Sequence, residues 1–291
     1  MSIRREDRPT GARWWRRVGW RHGVGILAAA FALFPVLYIV SASLNPLGTV
    51  AATSLIPTRI SLDNFFRLLG GEKGPFAVWL ANSLLIAAAV SFGQVLCSAL
   101  AAYAFSRFRF RGRRGGLLAL LFAQMFPQFL AAVALFLMVA RFGEVLPAVG
   151  LNTLLGYGLV LMGGALGQVW ILKGFFDSVP RELDEAAMLD GASHWQAFTR
   201  VILPLVSPAL AVAALLCFIG VIGDFMLASI FLTDDAVKTV AVGLYGIILG
   251  DKSTNLGIFS AGCVLLTVPV VVLFLWLQRF IVGGLTAGTG K

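Results

Sequence analysis

Charge is scarce in this sequence. Asp, Glu, Lys and Arg make up 13% of its 291 residues, about half the share of an ordinary soluble domain. With 59% of the chain apolar, that scarcity excludes a fold solvated by water, because so much apolar surface is hidden only in a far larger core or in lipid. Histidine occurs twice, as His22 and His194, and cysteine three times, as Cys97, Cys217 and Cys263, each in an apolar run. Three scattered thiols give no disulfide framework and no paired-Cys metal motif, and they read as small buried hydrophobes. Long polar tracts and low-complexity runs are missing as well, which excludes disorder and, despite 32 Gly, a collagen-like chain.

What the chain does have is long apolar runs. A bilayer core of about 30 Å takes about 20 apolar residues as a helix, and six stretches meet that length: Val24 to Leu44, Leu80 to Phe105, Gly115 to Ala140, Leu151 to Leu172, Ser207 to Phe231 and Leu256 to Gln278. Their length without alternation predicts helices and argues against a β-barrel. The first run is too long for the core of a cleavable signal and reads as an uncleaved helix. The segments between runs sort by charge, with 17 basic residues on one side, including seven from Arg4 to Arg21 and five from Arg107 to Arg114, and 6 on the other. By the positive-inside rule both termini face the cytoplasm. The basic runs are therefore topology signals, and nucleic acid is not expected as a partner.

Some residues interrupt the runs. Five glycines from Gly156 to Gly167 predict a fourth span closely packed within the bundle, and Pro127 and Pro269 predict kinks in the third and sixth. Asp224 is the one charged residue inside the six limits. It either lines a pathway, with Gln124 and Gln128 as companions, or reaches water or caps a neighbouring loop. Catalysis in the membrane would require paired carboxylates, a nucleophile beside a histidine or a metal cluster, and none of these is present. No catalytic or metal residues are predicted, and the energy source is expected outside this chain.

The segment from Asp177 to Pro204 is too polar for lipid. Pro180 suits a first helical turn, Glu182, Asp184 and Glu185 complement the dipole at that end, and Gly191 is a natural stop. Ser193 and Gln196 form a capping-box pattern for a second helix, which Pro204 is expected to end. Leu183, Ala186, Ala187 and Leu189 give the first helix an apolar face too large for this chain's small loops to cover. That face predicts docking into a partner's groove, with Glu182, Asp184 and Glu185 meeting basic residues there.

Glu185-Ala186-Ala187, Asp190-Gly191-Ala192 and Ile202-Leu203-Pro204 resemble the EAA loop in the permease subunits of bacterial ABC importers. Leu151-Asn152-Thr153, Trp170 to Gly174, Trp195 to Phe198, Thr239 to Gly243 and Gly284 to Gly288 are similar to the smaller, six-span partner in maltose-type carbohydrate permeases. The resemblance covers most of the chain from Phe105 onward. It implies an all-α polytopic inner-membrane protein with the type I importer permease fold, transporting maltose, maltodextrin, a trehalose-like oligosaccharide or another small solute.

Several further expectations follow from that resemblance. Residues 182–192, which include Met188 and Asp190, form a coupling helix seated on an ATP-binding subunit. A tail contact at Thr286, Ala287 and Gly288 touches the same subunits, and Leu244, Tyr245 and Gly246 contact a binding protein. The implied partners are a second permease, two ATP-binding subunits carrying ATP and Mg, an extracytoplasmic sugar-binding protein and membrane lipid, with no cofactor in this chain. The expected organisation is a basic segment at 1–21, a first helix and outer loop at 22–79, a core at 80–281 and a tail at 282–291. The core contains the coupling loop 174–206 and an outer loop 232–256. A self-sufficient secondary transporter and a membrane enzyme are the alternative classes. The first would show intramembrane ionisable pairs and the second a convergent polar site.

Overall fold

The computed structural model describes residues 15, 19–46, 59–125, 128–250 and 255–287, and no strand occurs among them. In chain order the helices are α1 (Trp20–Leu44), α2 (Asp63–Leu69), α3 (Phe76–Arg107), α4 (Arg113–Met125), α5 (Gln128–Val145), α6 (Leu154–Ser178), α7 (Glu182–Leu189), α8 (His194–Ile222), α9 (Met226–Phe231), α10 (Val240–Gly250) and α11 (Leu256–Ala287). By length and composition α1, α3, α6, α8 and α11 each suffice to cross a bilayer. The third predicted run is divided between α4 and α5, which are bent by 101° at their break. Pro127 itself, the N-terminal arginines Arg4 to Arg17 and Gly288 lie outside the described residues.

Two predicted boundaries are corrected. Pro204 does not end the helix that starts at His194. A π-helical turn over Ala197–Ile202 precedes it, with the Leu203 N–H donating to the Phe198 carbonyl five residues back. The wider turn absorbs the missing proline donor and the chain continues as α8. The fifth span stops at Ile222 instead of running on to Phe231. There the Asp224 carboxylate accepts the Ala228 N–H at 3.0 Å and starts the separate helix α9. Pro269 lies inside α11, which continues through it.

The chain divides into two compact units, residues 1–68 with 248–264, and 69–247 with 265–291. In the first, Asn64 donates to the carbonyls of Ser43 at 3.0 Å and Asn45 at 2.8 Å, satisfying the end of α1.

The second unit is built on α3. Its buried stripe runs Trp79, Ser83, Ile86, Val90, Gln94, Ser98, Ala102 and Ser106, every third or fourth residue, with Asn82 beside it, while Leu85 and Phe92 point outward. A helix whose polar and small residues face inward suits a lipid solvent, where hydrophobicity does not separate core from surface. Cys97 falls off that stripe and is exposed, contrary to expectation, whereas Cys217 is buried. The glycines of α6 let it lie against α3. A Cβ on Gly158 would stand 3.2 Å from Ile86, and one on Gly164 2.7 Å from the Gln94 amide.

Gln94 ties three helices together. A 3₁₀ turn at Met162–Gly164 sends the Ala165 N–H to the Met162 and Gly163 carbonyls, and the Leu161 carbonyl accepts the Gln94 amide at 2.6 Å. The Gln94 Oε1 accepts from Gln168 at 3.1 Å and from the Cys217 thiol at 3.0 Å. Apolar clusters flank this network along α3. One gathers Ile86, Val90, Tyr157, Phe218, Phe231 and Leu232. The other gathers Ala99, Tyr103, Leu172, Phe176, Phe198 and Ile202.

Candidate coupling site

The segment after α6 folds as two capped helices. Glu182, Asp184 and Glu185 occupy the first turn of α7, where the N-terminal dipole favours acids. Gly191 adopts φ +87°, and the N–H groups of Gly191 and Ala192 donate to the carbonyls of Met188 at 3.1 Å and Ala187 at 3.0 Å. This is a Schellman stop, and it needs a residue that accepts the left-handed conformation. Ser193 and Gln196 then cap α8 reciprocally, at 2.8 Å and 3.3 Å, as the Ser-x-x-Gln spacing predicts.

Outward, the loop presents acid and apolar groups together. Leu189 is 89% exposed, Leu183, Met188 and Trp195 are exposed, and so are Glu182, Glu185 and Asp190. Asp184 departs from its predicted role as a charge offered to a partner. It is only 6% exposed and its carboxylate turns inward, 2.7 Å from the Arg107 Nε. The Tyr103 hydroxyl donates to the same carboxylate at 3.3 Å.

Tyr103 and Arg107 lie one turn apart at the end of α3, a spacing that puts both on one face. Arg107 also donates to the Val179 carbonyl at 2.9 Å, and Arg181 to the Ser106 carbonyl at 2.9 Å. Beside them Ser106 donates to Asp177 at 2.6 Å, and Lys173 pairs with the same carboxylate. Aromatic rings fill the space around them, with Phe198 4.7 Å and Phe108 5.6 Å from Tyr103 between centroids. Sequence reasoning counted Arg107 only as a topology charge. Its one-turn spacing from Tyr103 was the available signal, but the partner lies 77 residues away in the chain.

Of the remaining predicted residues, Asp224 and Gln124 are held separately. Asp224 accepts the Tyr157 hydroxyl at 2.7 Å and the Ala228 N–H of α9 at 3.0 Å. Gln124 donates to the Leu166 carbonyl at 3.2 Å. The side chains of Gln128, Thr286 and Ala287 lie outside the described residues.

At the far end of α3 the predicted outer loop 232–256 contains the helix α10. Leu244 is buried within the chain and Tyr245 packs on Phe225, centroids 4.5 Å apart, so the Leu244 side chain is not offered outward. The strand-free stretch before α10 is held by side chains that sequence reasoning missed. Trp79 donates to Asp235, and Asn82 to Ala236 and Lys238, each at 3.0 Å. Asn152, at φ 56°, accepts from the N–H groups of Thr233 at 2.7 Å and Asp234 at 3.1 Å. Among the described residues no cluster of three or more His, Cys, Asp or Glu is placed to hold a metal.

Comparison with known proteins agrees with this architecture. Over 281 residues the chain is 41% identical to the maltose/maltodextrin transport system permease protein MalG of Yersinia pestis, covering 93% of this chain and 92% of that protein. It is 38% identical over 265 residues to the galactooligosaccharides transport system permease protein GanQ of Bacillus subtilis, covering 90% and 92%. The fold is similar to a chain of a bacterial ABC transporter involved in the import of the acidic polysaccharide alginate. That match has a TM-score of 0.74 at 24% identity, covering 94% of this chain and 99% of the other. Residues 94–286 match the family described as the binding-protein-dependent transport system inner membrane component. With two thirds of its length in that match, this multi-pass chain is a member of the family, a transport component of the bacterial inner membrane and not an enzyme.

Proposed function

We propose that this chain is the permease subunit of an ATP-driven importer of maltodextrin-like oligosaccharides, working with a second permease, two ATP-binding subunits and an extracytoplasmic binding protein. The sugar class rests on the relatives named for maltose/maltodextrin and galactooligosaccharides. ATP and Mg belong to the partner ATPases, and both termini face the cytoplasm. One observation carries the mechanical part, namely an eight-residue helix with Leu189 exposed and acids flanking it, capped at its C-terminal end and braced against α3. An apolar knob with an acidic rim suits an apolar groove with a basic rim.

In this reading α7 and residues through Ala192 seat in the ATPase, and the tail at 286–288 touches the same subunit. ATP-driven closure then moves the spans as rigid bodies between inward-open and outward-open states. Sugar shifts that equilibrium only through its different affinity for the two states. Asp224, Gln124 and Gln128 are pathway candidates, and Tyr245 and Gly246 candidate contacts for the binding protein. The test is uptake by the complete complex in vesicles supplied with binding protein, maltodextrin and ATP. Glu185→Lys is expected to abolish accumulation while the chain stays inserted. Wild-type uptake by that variant, or uptake by this chain alone, would refute the proposal.

A further inference from the structure

The coupling helix touches the rest of the chain through few directional contacts. Leu183, Met188 and Leu189 face away, and the acid that faces inward, Asp184, meets Arg107 at 2.7 Å and Tyr103 at 3.3 Å. Both partners sit at the C-terminal end of α3. The side chains of Arg107 and Asp184 are 6% and 9% exposed. Inside so dry a site the pair cannot separate without leaving a buried charge unpaired. The surrounding aromatic contacts are non-directional and tolerate sliding. An ion pair reinforced by a hydroxyl does not.

The other end of α3 holds the outer segment. Trp79 and Asn82 bind the carbonyls of Asp235, Ala236 and Lys238, and Ser83 accepts the Val240 N–H at 2.8 Å. α3 is a continuous helix of 32 residues, about 48 Å long at 1.5 Å per residue. A displacement of α7 therefore has a stiff route to the segment that leads into α10.

From this we infer that Arg107, Asp184 and Tyr103 form a pin that transmits movement of the coupling helix to α3, and through α3 to the outer segment at residues 235–240. Arg107 and Asp184 are positioning residues in this role, since neither is required to touch nucleotide or sugar. The inference rests on the coupling reading proposed above.

The experiment measures solute accumulated per ATP hydrolysed by the assembled complex in vesicles, normalised to complex recovered intact. Arg107→Met and the double variant Arg107→Met with Asp184→Leu are compared with wild type and with Asp184→Glu, which keeps the charge. The double variant removes both charges together, so no buried charge is stranded and assembly is retained. Solute per ATP is expected to fall at least about fivefold in both Met-containing variants, the lower end of ordinary coupling between sites, and to recover in Asp184→Glu. Wild-type solute per ATP in the assembled double variant would overturn the pin. Loss of assembly in every variant would make the pair purely structural and overturn it as well. A wild-type complex that hydrolyses ATP yet accumulates no maltodextrin would instead refute the functional assignment.

Discussion

Gly243 lies against the face of Trp79 so closely that a Cβ there would fall 2.1 Å from the indole Cε3. Only a residue without a side chain lets α10 approach α3 at that point, and the indole is already committed by its N–H to Asp235. Gly243→Ala is expected to force the ring or α10 aside and to destabilise the fold by about 1–3 kcal/mol. Thermal unfolding in detergent checks this, and an unchanged midpoint would show that the contact relaxes freely.

Gly191 makes a second, independent prediction. At φ +87° a β-branched residue is strained, so Gly191→Val should fray the end of α7 at a cost of about 1–2 kcal/mol. The α7 amides are expected to exchange hydrogen faster while those of α3 keep their protection.

Removing one member of the buried ion pair should be costly. Asp184→Ala strands the Arg107 guanidinium, and the expected destabilisation is about 3–5 kcal/mol. Replacing the exposed neighbour Glu182 by Ala should change stability by no more than about 0.5 kcal/mol. Parallel unfolding curves of the two variants separate an inward acid from an outward one.

Gln94 gathers a carbonyl, an amide and a thiol from α6 and α8. Gln94→Leu leaves the Leu161 carbonyl without that donor, and a loss of about 1–2 kcal/mol is expected. Gly164→Ala should also be destabilising by itself, because the added methyl would stand 2.7 Å from the Gln94 amide.

Asp224→Asn keeps a side-chain oxygen for the Ala228 N–H, whereas Asp224→Ala removes the cap. The alanine variant should cost about 0.5–2 kcal/mol and the asparagine variant much less. If both abolish transport while leaving the unfolding midpoint unchanged, Asp224 works in the pathway and not as a cap.

Legibility followed the range of the interaction. Ser193 and Gln196, or Gly191 after Leu189, announce their roles because both partners of each cap lie within a few residues. The run lengths located the spans for the same reason, but they missed the break between α4 and α5 and misplaced boundaries at Pro204 and Gly223. There, a π turn and a capping carboxylate decide what composition cannot show. Asn82 and Gln94 were passed over, and Asn152 entered only within a family motif, because a lone amide in an apolar run carries no local mark of its partner.

The sequence by itself determined that lipid is the solvent, that the chain crosses it repeatedly as helices, and that a capped acidic segment stands outside it. These follow from hydropathy and from contacts between near neighbours. The tertiary structure alone decided that Asp184 turns inward onto Arg107, that Trp79 receives Gly243, and that Gln94 reaches Leu161. In a bilayer, apolar residues suit both faces of a helix, so the choice of inward face rests on close packing and on polar pairs that only the assembled bundle brings together.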